Sequence, residues 1–531
     1  MMKFDVYLRV ILLASLTIGI YLSLQDVKVL IDKIVLDDSF LMFSIAKNIA
    51  SGNGITYNGI DKTNGFQPLW TFLIVPVYMI TNDIYLTVNL ILLISTVLNT
   101  LTVLLVFNFT KRIFNRNTAL VAAALYGLNP FVMFQTLSGM EIVLYIFLLM
   151  STLYFYTKIY NRINFKNMAV LGILAGLTIL ARMDGLFLCI AIGLHLLWTK
   201  RKKFFEVLKV GVIAGITALL VVMPWFLWSY LNFGTIVQSS EIARYNLGHG
   251  IFPYSDLKEP KTLSQTFSMI TENFIRTIGS ILNQLGIFRF DLDVITILLC
   301  VFIFTTLLAS VKYVKKMFVP IIYIILLILF YNLYLWGIQV RYMTPIIPLI
   351  TIMMSAGLVS IAKNKTKVII TVLIVALFML MINGLQQWEQ GYFAWSTELY
   401  KDALWIKENI GENESVGVFS CGIHTYFSGK HVVDLDGVVN FKAIEAQEKK
   451  DVINYMKSEN ISVWVESVYF NKTVTERYEK GGKIDILKEN IWYDFLGEDK
   501  FNLTLIDQRE GIYKHLRGYD MLVVFFKAKI N

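Results

Sequence analysis

The chain has 531 residues, 56% hydrophobic and only 16% charged, with a mean hydropathy of +0.60. Soluble domains carry about 25% charged residues, so a purely soluble globule is excluded. The net charge of +9 does not point to nucleic acid. Its excess sits in short loops between apolar runs: KRIFNR (111–116), KIYNRINFK (158–166), KRKK (200–203), KYVKK (312–316) and KNKTK (363–367). That is the distribution that the positive-inside rule assigns to the cytoplasmic face.

Lys3 and Arg9 precede an apolar run that reaches Leu24, and no small-x-small cleavage site follows. This reads as an uncleaved first span. Further spans are expected near 85–107, 118–136, 141–157, 168–182, 185–199, 207–231, 292–311, 317–336, 343–361 and 367–384, about eleven in all. The stretch FQPLWTFLIVPVYMI (66–80) is short and holds two prolines. Counted as a span, it would put KRIFNR outside and invert every later loop, so it is read as re-entrant or interfacial. The expected fold class is therefore a polytopic α-helical membrane protein with an α/β domain outside the membrane.

Two regions follow from this topology. Residues 1–384 form the transmembrane part, with a first outer loop at 25–84 and a long outer loop at 232–291. Residues 385–531 form the outer domain. An amphipathic helix is expected over 398–410 and another over 441–458, with strand-like runs at 416–420, 432–435, 461–465 and 522–526. Cys189 and Cys300 fall in apolar runs and only Cys421 lies outside them, so no disulfide outside the bilayer is expected. Asn413, Asn460, Asn471 and Asn502 head Asn-x-Ser/Thr triplets in the outer domain.

The unusual charges collect on the outer side. Asp37 and Asp38 follow the first span and precede SFLMFSIAKNIA, which has helical spacing and ends at Gly52-Asn53-Gly54. One reading makes the pair a helix cap with favourable dipole charge; the other makes one of them a general base or a metal ligand. The loop SGNGITYNGIDKTNGFQP (51–68) holds Lys62 as its only cation. Arg182 and Asp184 lie in LARMDGLFL, Glu141 in LSGMEIVLY, and Arg341 in WGIQVRYMTP, all at expected outer helix ends. An arginine there either snorkels to headgroups, with Asp184 as a further partner for Arg182, or grips phosphate oxygens with its planar fork. Glu241 and Arg244, in the long loop, are spaced for an i,i+3 pair. His424 and His431 lack further ligands at metal spacing, and neither a Walker A sequence nor a G-x-G-x-x-G fingerprint occurs.

The succession DDSFLMFSIAKNIASGNGITYNGIDKTNGFQPLW, LSGMEIVLY, LARMDGLFL, PWFLWSYLNFGTIVQSS and RYMTPIIPL resembles the GT-C superfamily of integral-membrane glycosyltransferases. The resemblance is closest to proteins like arabinofuranosyltransferases and to the protein O-mannosyltransferase clan, and extends to VGVFSCGIHTYFSGKHVVDLDGVVN in the outer domain. It implies a polyprenyl-monophosphate sugar donor, used outside the cytoplasm of a prokaryotic plasma membrane, with inversion at the anomeric carbon. The acceptor, a glycan, lipid or protein, offers a hydroxyl. Asp37 is then the expected base and Asp38 its partner, with the order open to reversal. Arg182, Arg341 and Lys62 become the expected contacts to the departing phosphate, with Glu141, Asp184, Glu241 and Arg244 as further candidates for the substrate site. The resemblance leaves a divalent metal cation open, with Asp38 as its candidate ligand. The competing expectation, a transporter or lipid-linked sugar flippase, calls for ionisable residues at mid-span, whereas most spans here carry charge only at their ends.

Overall fold

The computed structural model describes residues 6–243, 263–287, 293–333, 339–391, 396–449, 451–469, 503–514 and 520–530. Arg244, much of the long outer loop, Asn471 and Asn502 lie outside the described residues. The chain opens with α1 (Val6–Ser23), followed by two shorter helices, α2 (Val27–Lys33) and α3 (Asp37–Ala50), and by α4 (Pro68–Ile80). The bundle continues with α5 (Ile84–Ile113), α6 (Arg116–Gly127), α7 (Pro130–Thr136), α8 (Ile142–Ile159), α9 (Phe165–Ala181), α10 (Leu186–Thr199) and α11 (Phe204–Phe233). It is completed by α12 (Leu263–Gln284), α13 (Val294–Ser310), α14 (Phe318–Leu333), a helical turn at Val340–Met343, α15 (Ile347–Ile361) and α16 (Thr366–Gln390).

The basic clusters meet at one end of this bundle. Arg112 Nε donates to the Thr157 carbonyl at 3.0 Å, and the Lys200 ammonium lies 4.6 Å from the Tyr160 ring. Phe114 packs on Tyr313 with centroids 5.3 Å apart, and Lys312 bonds Ser360. Helix α4 never approaches that end. Near its start Trp70 Nε1 donates to the Gly139 carbonyl at 2.9 Å, and near its finish Tyr78 bonds Tyr426 at 3.2 Å. Both partners lie at the opposite end, and 13 residues rise only about 20 Å. The segment stays at the end opposite the basic clusters without crossing.

Among the described residues seven helices are long and apolar enough to span a bilayer, or eight if α6 and α7 count as one bent span. The eleven expected spans each overlap a helix, but α9 and α10 are shorter than a full span, and α13 and α14 run on through a 3-10 turn as one 40-residue apolar stretch. The 62° bend between α6 and α7 has a local cause. Pro130 has no amide proton to continue the ladder, and the Asn129 carboxamide caps the new helix by accepting from Phe131 N at 2.9 Å.

Side-by-side packing relies on small residues. A Cβ added at Gly172 would stand 2.3 Å from the Ala214 carbonyl, and one at Gly176 would stand 2.8 Å from that of Ala218. Four-residue spacing of glycines lets α9 and α11 touch backbone to backbone, which is where van der Waals contact has most effect in lipid.

After α16 the character changes. Helix α17 (Ser396–Asn409), strand β1 (Ser415–Val418), α18 (Cys421–Ser428), β2 (His431–Asp434), α19 (Phe441–Glu448), α20 (Val452–Ser458) and β3 (Ile461–Tyr469) alternate, and a hairpin of β4 (Leu503–Lys514) and β5 (Asp520–Ile530) follows. The five strands form one sheet in the order β2-β1-β3-β5-β4. Pairings of β1 with β2 and β3 are parallel, as helical crossovers require, and the β3–β5 and β4–β5 pairings are antiparallel. The helix expected over 441–458 is two, one ending at Glu448 and the next starting at Val452. The domain leans on two loops: on the first, Asn58 Nδ2 donates to the Val432 carbonyl at 3.2 Å and Lys442 pairs with Asp61 at 2.8 Å, and at the start of the long loop Ser239 Oγ donates to the Val438 carbonyl at 2.8 Å.

Candidate active site

Helix α3 begins at Asp37, but its N-cap position is Leu36, which offers no side-chain cap. The expected capping role therefore falls to neither aspartate. Both sit in the first turn, where exposed amides favour negative charge, and their carboxylates turn to other elements. Asp37 Oδ1 accepts from the amide of Ile423 at 2.7 Å, at the start of α18 in the outer domain. Gly422 makes this approach possible, because a Cβ there would lie 2.1 Å from the Asp37 carbonyl. Burial, with the Asp38 charge beside it, pushes the Asp37 carboxyl up to about 7, against the pull of the α18 amides.

Asp38 Oδ2 pairs with Arg341 Nη1 at 2.5 Å; the arginine side chain is 6% exposed and the aspartate 41%. The bridge thus has a buried cation and an anion open to solvent. Arg341 borders Tyr342, whose ring stacks on Tyr331 at 4.9 Å and 4°. Tyr331 is the hinge to a second cluster: its hydroxyl donates to Asp184 Oδ2 at 2.9 Å and accepts from Arg182 Nη2 at 2.9 Å. Arg182 also pairs with Glu141 at 2.8 Å and with Asp184 at 3.0 Å, and all three side chains are buried. A buried ion triad of this kind holds only when its donors are satisfied, and here the guanidinium is engaged on both edges. Glu141 Oε2 alone remains buried without a partner.

The two clusters share a support. The Ser138 carbonyl, in the turn that leads to Glu141, accepts from Ser39 Oγ at 2.6 Å and from Leu36 N at 3.3 Å. Asp37, Asp38, Arg341, Arg182, Glu141 and Asp184 therefore line one connected region. Lys62 lies apart from these bonds; its ammonium donates to Asn232 at 2.9 Å, at the end of α11. Glu241 is close enough to Tyr331 to act on it electrostatically, while Arg244 lies outside the described residues.

Two further carboxylates belong here that sequence reasoning missed. Asp434, at the end of β2, and Asp436 are both held above the usual carboxylate range by burial. Asp434 adds to the field on Asp37, and Asp38 adds to that on Asp436. Asp434 Oδ2 accepts from Val439 N at 2.9 Å, which fixes the turn. The DLDG tetrapeptide is the signal that could have flagged them. Metal ligation finds no matching donor set: Asp38 is shared with Arg341, and among the described residues no three His, Cys, Asp or Glu groups could hold an ion together. His424 and His431 bond separately, to the Ser420 carbonyl and to Ser415 Oγ.

The arrangement is that of a membrane protein of the GT-C glycosyltransferase fold. Residues 68–228 match the family described as dolichyl-phosphate-mannose-protein mannosyltransferase, and residues 386–504 match a domain of unknown function. ArnT from Cupriavidus metallidurans in the apo state superposes with a TM-score of 0.59 at 12% identity, covering 97% of both chains. The same protein bound to undecaprenyl phosphate gives 0.55 at 10% identity, again covering 97% of both. The Archaeoglobus fulgidus oligosaccharyltransferase tethered with an acceptor peptide gives 0.54 at 13% identity, over 86% of this chain and 68% of that one. No curated protein matches in sequence.

Proposed function

We propose that this chain transfers a sugar from a polyprenyl-monophosphate donor to an acceptor hydroxyl on the outer side of the membrane, with inversion. The observation that carries the reading is the pairing of a solvent-open Asp38 with a buried Arg341, next to an Asp37 carboxyl raised to about 7. The GT-C fold and the undecaprenyl phosphate bound to ArnT support the donor class.

Asp37 takes the proton of the acceptor hydroxyl, whose oxygen then forms the new bond to the anomeric carbon. The bond from that carbon to the donor phosphate breaks, and its electron pair leaves with polyprenyl phosphate. A carboxyl held near neutrality is suited to proton transfer at physiological pH. Arg341, already fixed by Asp38 and Tyr342, stabilises the charge that develops on the phosphate. Arg182 is committed to Glu141 and Asp184, so its part is to hold Tyr331 and the stacked Tyr342 behind Arg341.

The test is release of polyprenyl phosphate from a polyprenyl-phosphate sugar by purified enzyme. Asp37→Asn is expected to lower turnover by about 100- to 10,000-fold, the usual contribution of a positioned general base, with the melting temperature kept. Wild-type turnover in Asp37→Asn and Asp38→Asn alike would overturn the reading.

A further inference from the structure

At the end of the bundle opposite Asp37, the helix termini enclose a cavity of about 420 Å³. It opens among the last turns of α5 and α8 and the first turn of α14. Arg112 and Lys316 stand at its mouth, and among the described residues no Asp or Glu lines it. Arg112 is anchored by its bond to the Thr157 carbonyl. Lys316 reaches the Ile113 carbonyl at 3.5 Å and lies 5.5 Å from the Phe114 ring. A guanidinium has five donors and an ammonium three, so these bonds place the cations without exhausting them.

The floor is built around His195. Its Nδ1 bonds Tyr156 Oη at 2.6 Å, and its ring stacks on Tyr160 with centroids 5.4 Å apart. The stack holds the imidazole in one orientation, and the remaining wall is partly apolar, with Phe109, Leu153 and Val319 set beside the polar Thr157 and Asn161. Two cations with no acid among the described lining residues, above a partly apolar wall at the level of the basic loops, match an amphiphile with a phosphate head. A soluble phosphate would use the mouth and leave that wall uncovered.

The geometry points to a binding site for an anionic phospholipid, its phosphate between Arg112 and Lys316 and its upper acyl carbons along the apolar wall. The site is distinct from the catalytic rim, and its occupant belongs to the leaflet that faces the basic loops.

Native mass spectrometry of the full chain, taken from nanodiscs of phosphatidylglycerol and phosphatidylcholine, reads the site directly. The wild-type chain is expected to retain phosphatidylglycerol selectively. Arg112→Gln with Lys316→Gln should lower that retention roughly thirtyfold, since each basic side chain near the surface strengthens anionic-lipid binding by about fivefold. Asn161→Trp, which fills the mouth without altering charge, should also abolish it. Lys363→Gln with Lys367→Gln, an equal loss of charge away from the cavity, should leave it intact. Four results would overturn the assignment: equal loss in the two double variants, full retention in Asn161→Trp, equal retention of phosphatidylcholine, or displacement by millimolar inorganic phosphate.

Discussion

Asp37 and Asp38 are neighbours in sequence with opposite surroundings. Asp37 faces the outer domain and titrates near 7, while Asp38 is half-exposed and paired. As the proposed base, Asp37 must be deprotonated to act, so kcat/KM should rise with pH to a plateau above about 7, where an ordinary carboxylate would place the limb near 4. Asp38→Asn removes one cause of the shift and should move the limb to lower pH; a limb that stays in place would count against Asp37 as the base. The same carboxyl acts on stability with the opposite sense. Its proton is held more tightly in the folded chain, so its contribution is complete below about pH 4 and is lost as pH rises through about 7. The two arginines should separate as well. Arg341→Gln is expected to lower kcat with little change in melting temperature, because its partner Asp38 can be rehydrated. Arg182→Gln strands Glu141 and Asp184 in a buried site and should cost about 3–5 kcal/mol of stability, read as a fall in the thermal midpoint.

At the scale of elements, the site depends on α18 meeting α3. Gly422→Val would place a branched side chain against the Asp37 backbone and push Ile423 N out of reach. Turnover is expected to fall at least tenfold while the sheet stays folded, as followed by the outer domain's circular dichroism; unchanged turnover would separate the α18 amide from the reaction. This contact also marks how far sequence reading reaches. That Asp37, Asp38 and Arg341 lie at the end of the bundle opposite the basic clusters was legible, because hydropathy and the basic loops sort the helix ends into two sets. The pairing of Asp38 with Arg341 was not, since nothing local ties two residues so far apart in the chain. The Ile423 amide had no signature at all, because any residue but proline supplies one. Arg182 was read either as a structural partner of Asp184 or, through the resemblance, as a phosphate contact; packing adds Glu141 to its partners, which the sequence did not disclose. The α6–α7 bend, by contrast, was written in Asn129-Pro130 and was passed over because hydropathy counts apolar residues and ignores caps.

For the whole molecule, the proposed orientation combines α4 staying at one end with the positive-inside rule. An impermeant thiol reagent applied to intact cells should label Ile60→Cys, in the first outer loop, in a background with Cys189, Cys300 and Cys421 replaced. Asn364→Cys, in the KNKTK loop, should react only after lysis. The reverse pattern would invert the topology and move Asp37 to the cytoplasm.

The bond between Asp37 and Ile423 closes across 386 positions of chain. Ribosomes deliver the base early and its hydrogen-bond donor late, and domains form in that order. On the proposed function, a nascent chain with its helices already in lipid would hold a base not yet in its working environment until the outer domain is exported and docked. Export itself would then act as the arming step, and the scarce lipid-linked sugar would be spared from an enzyme only partly built.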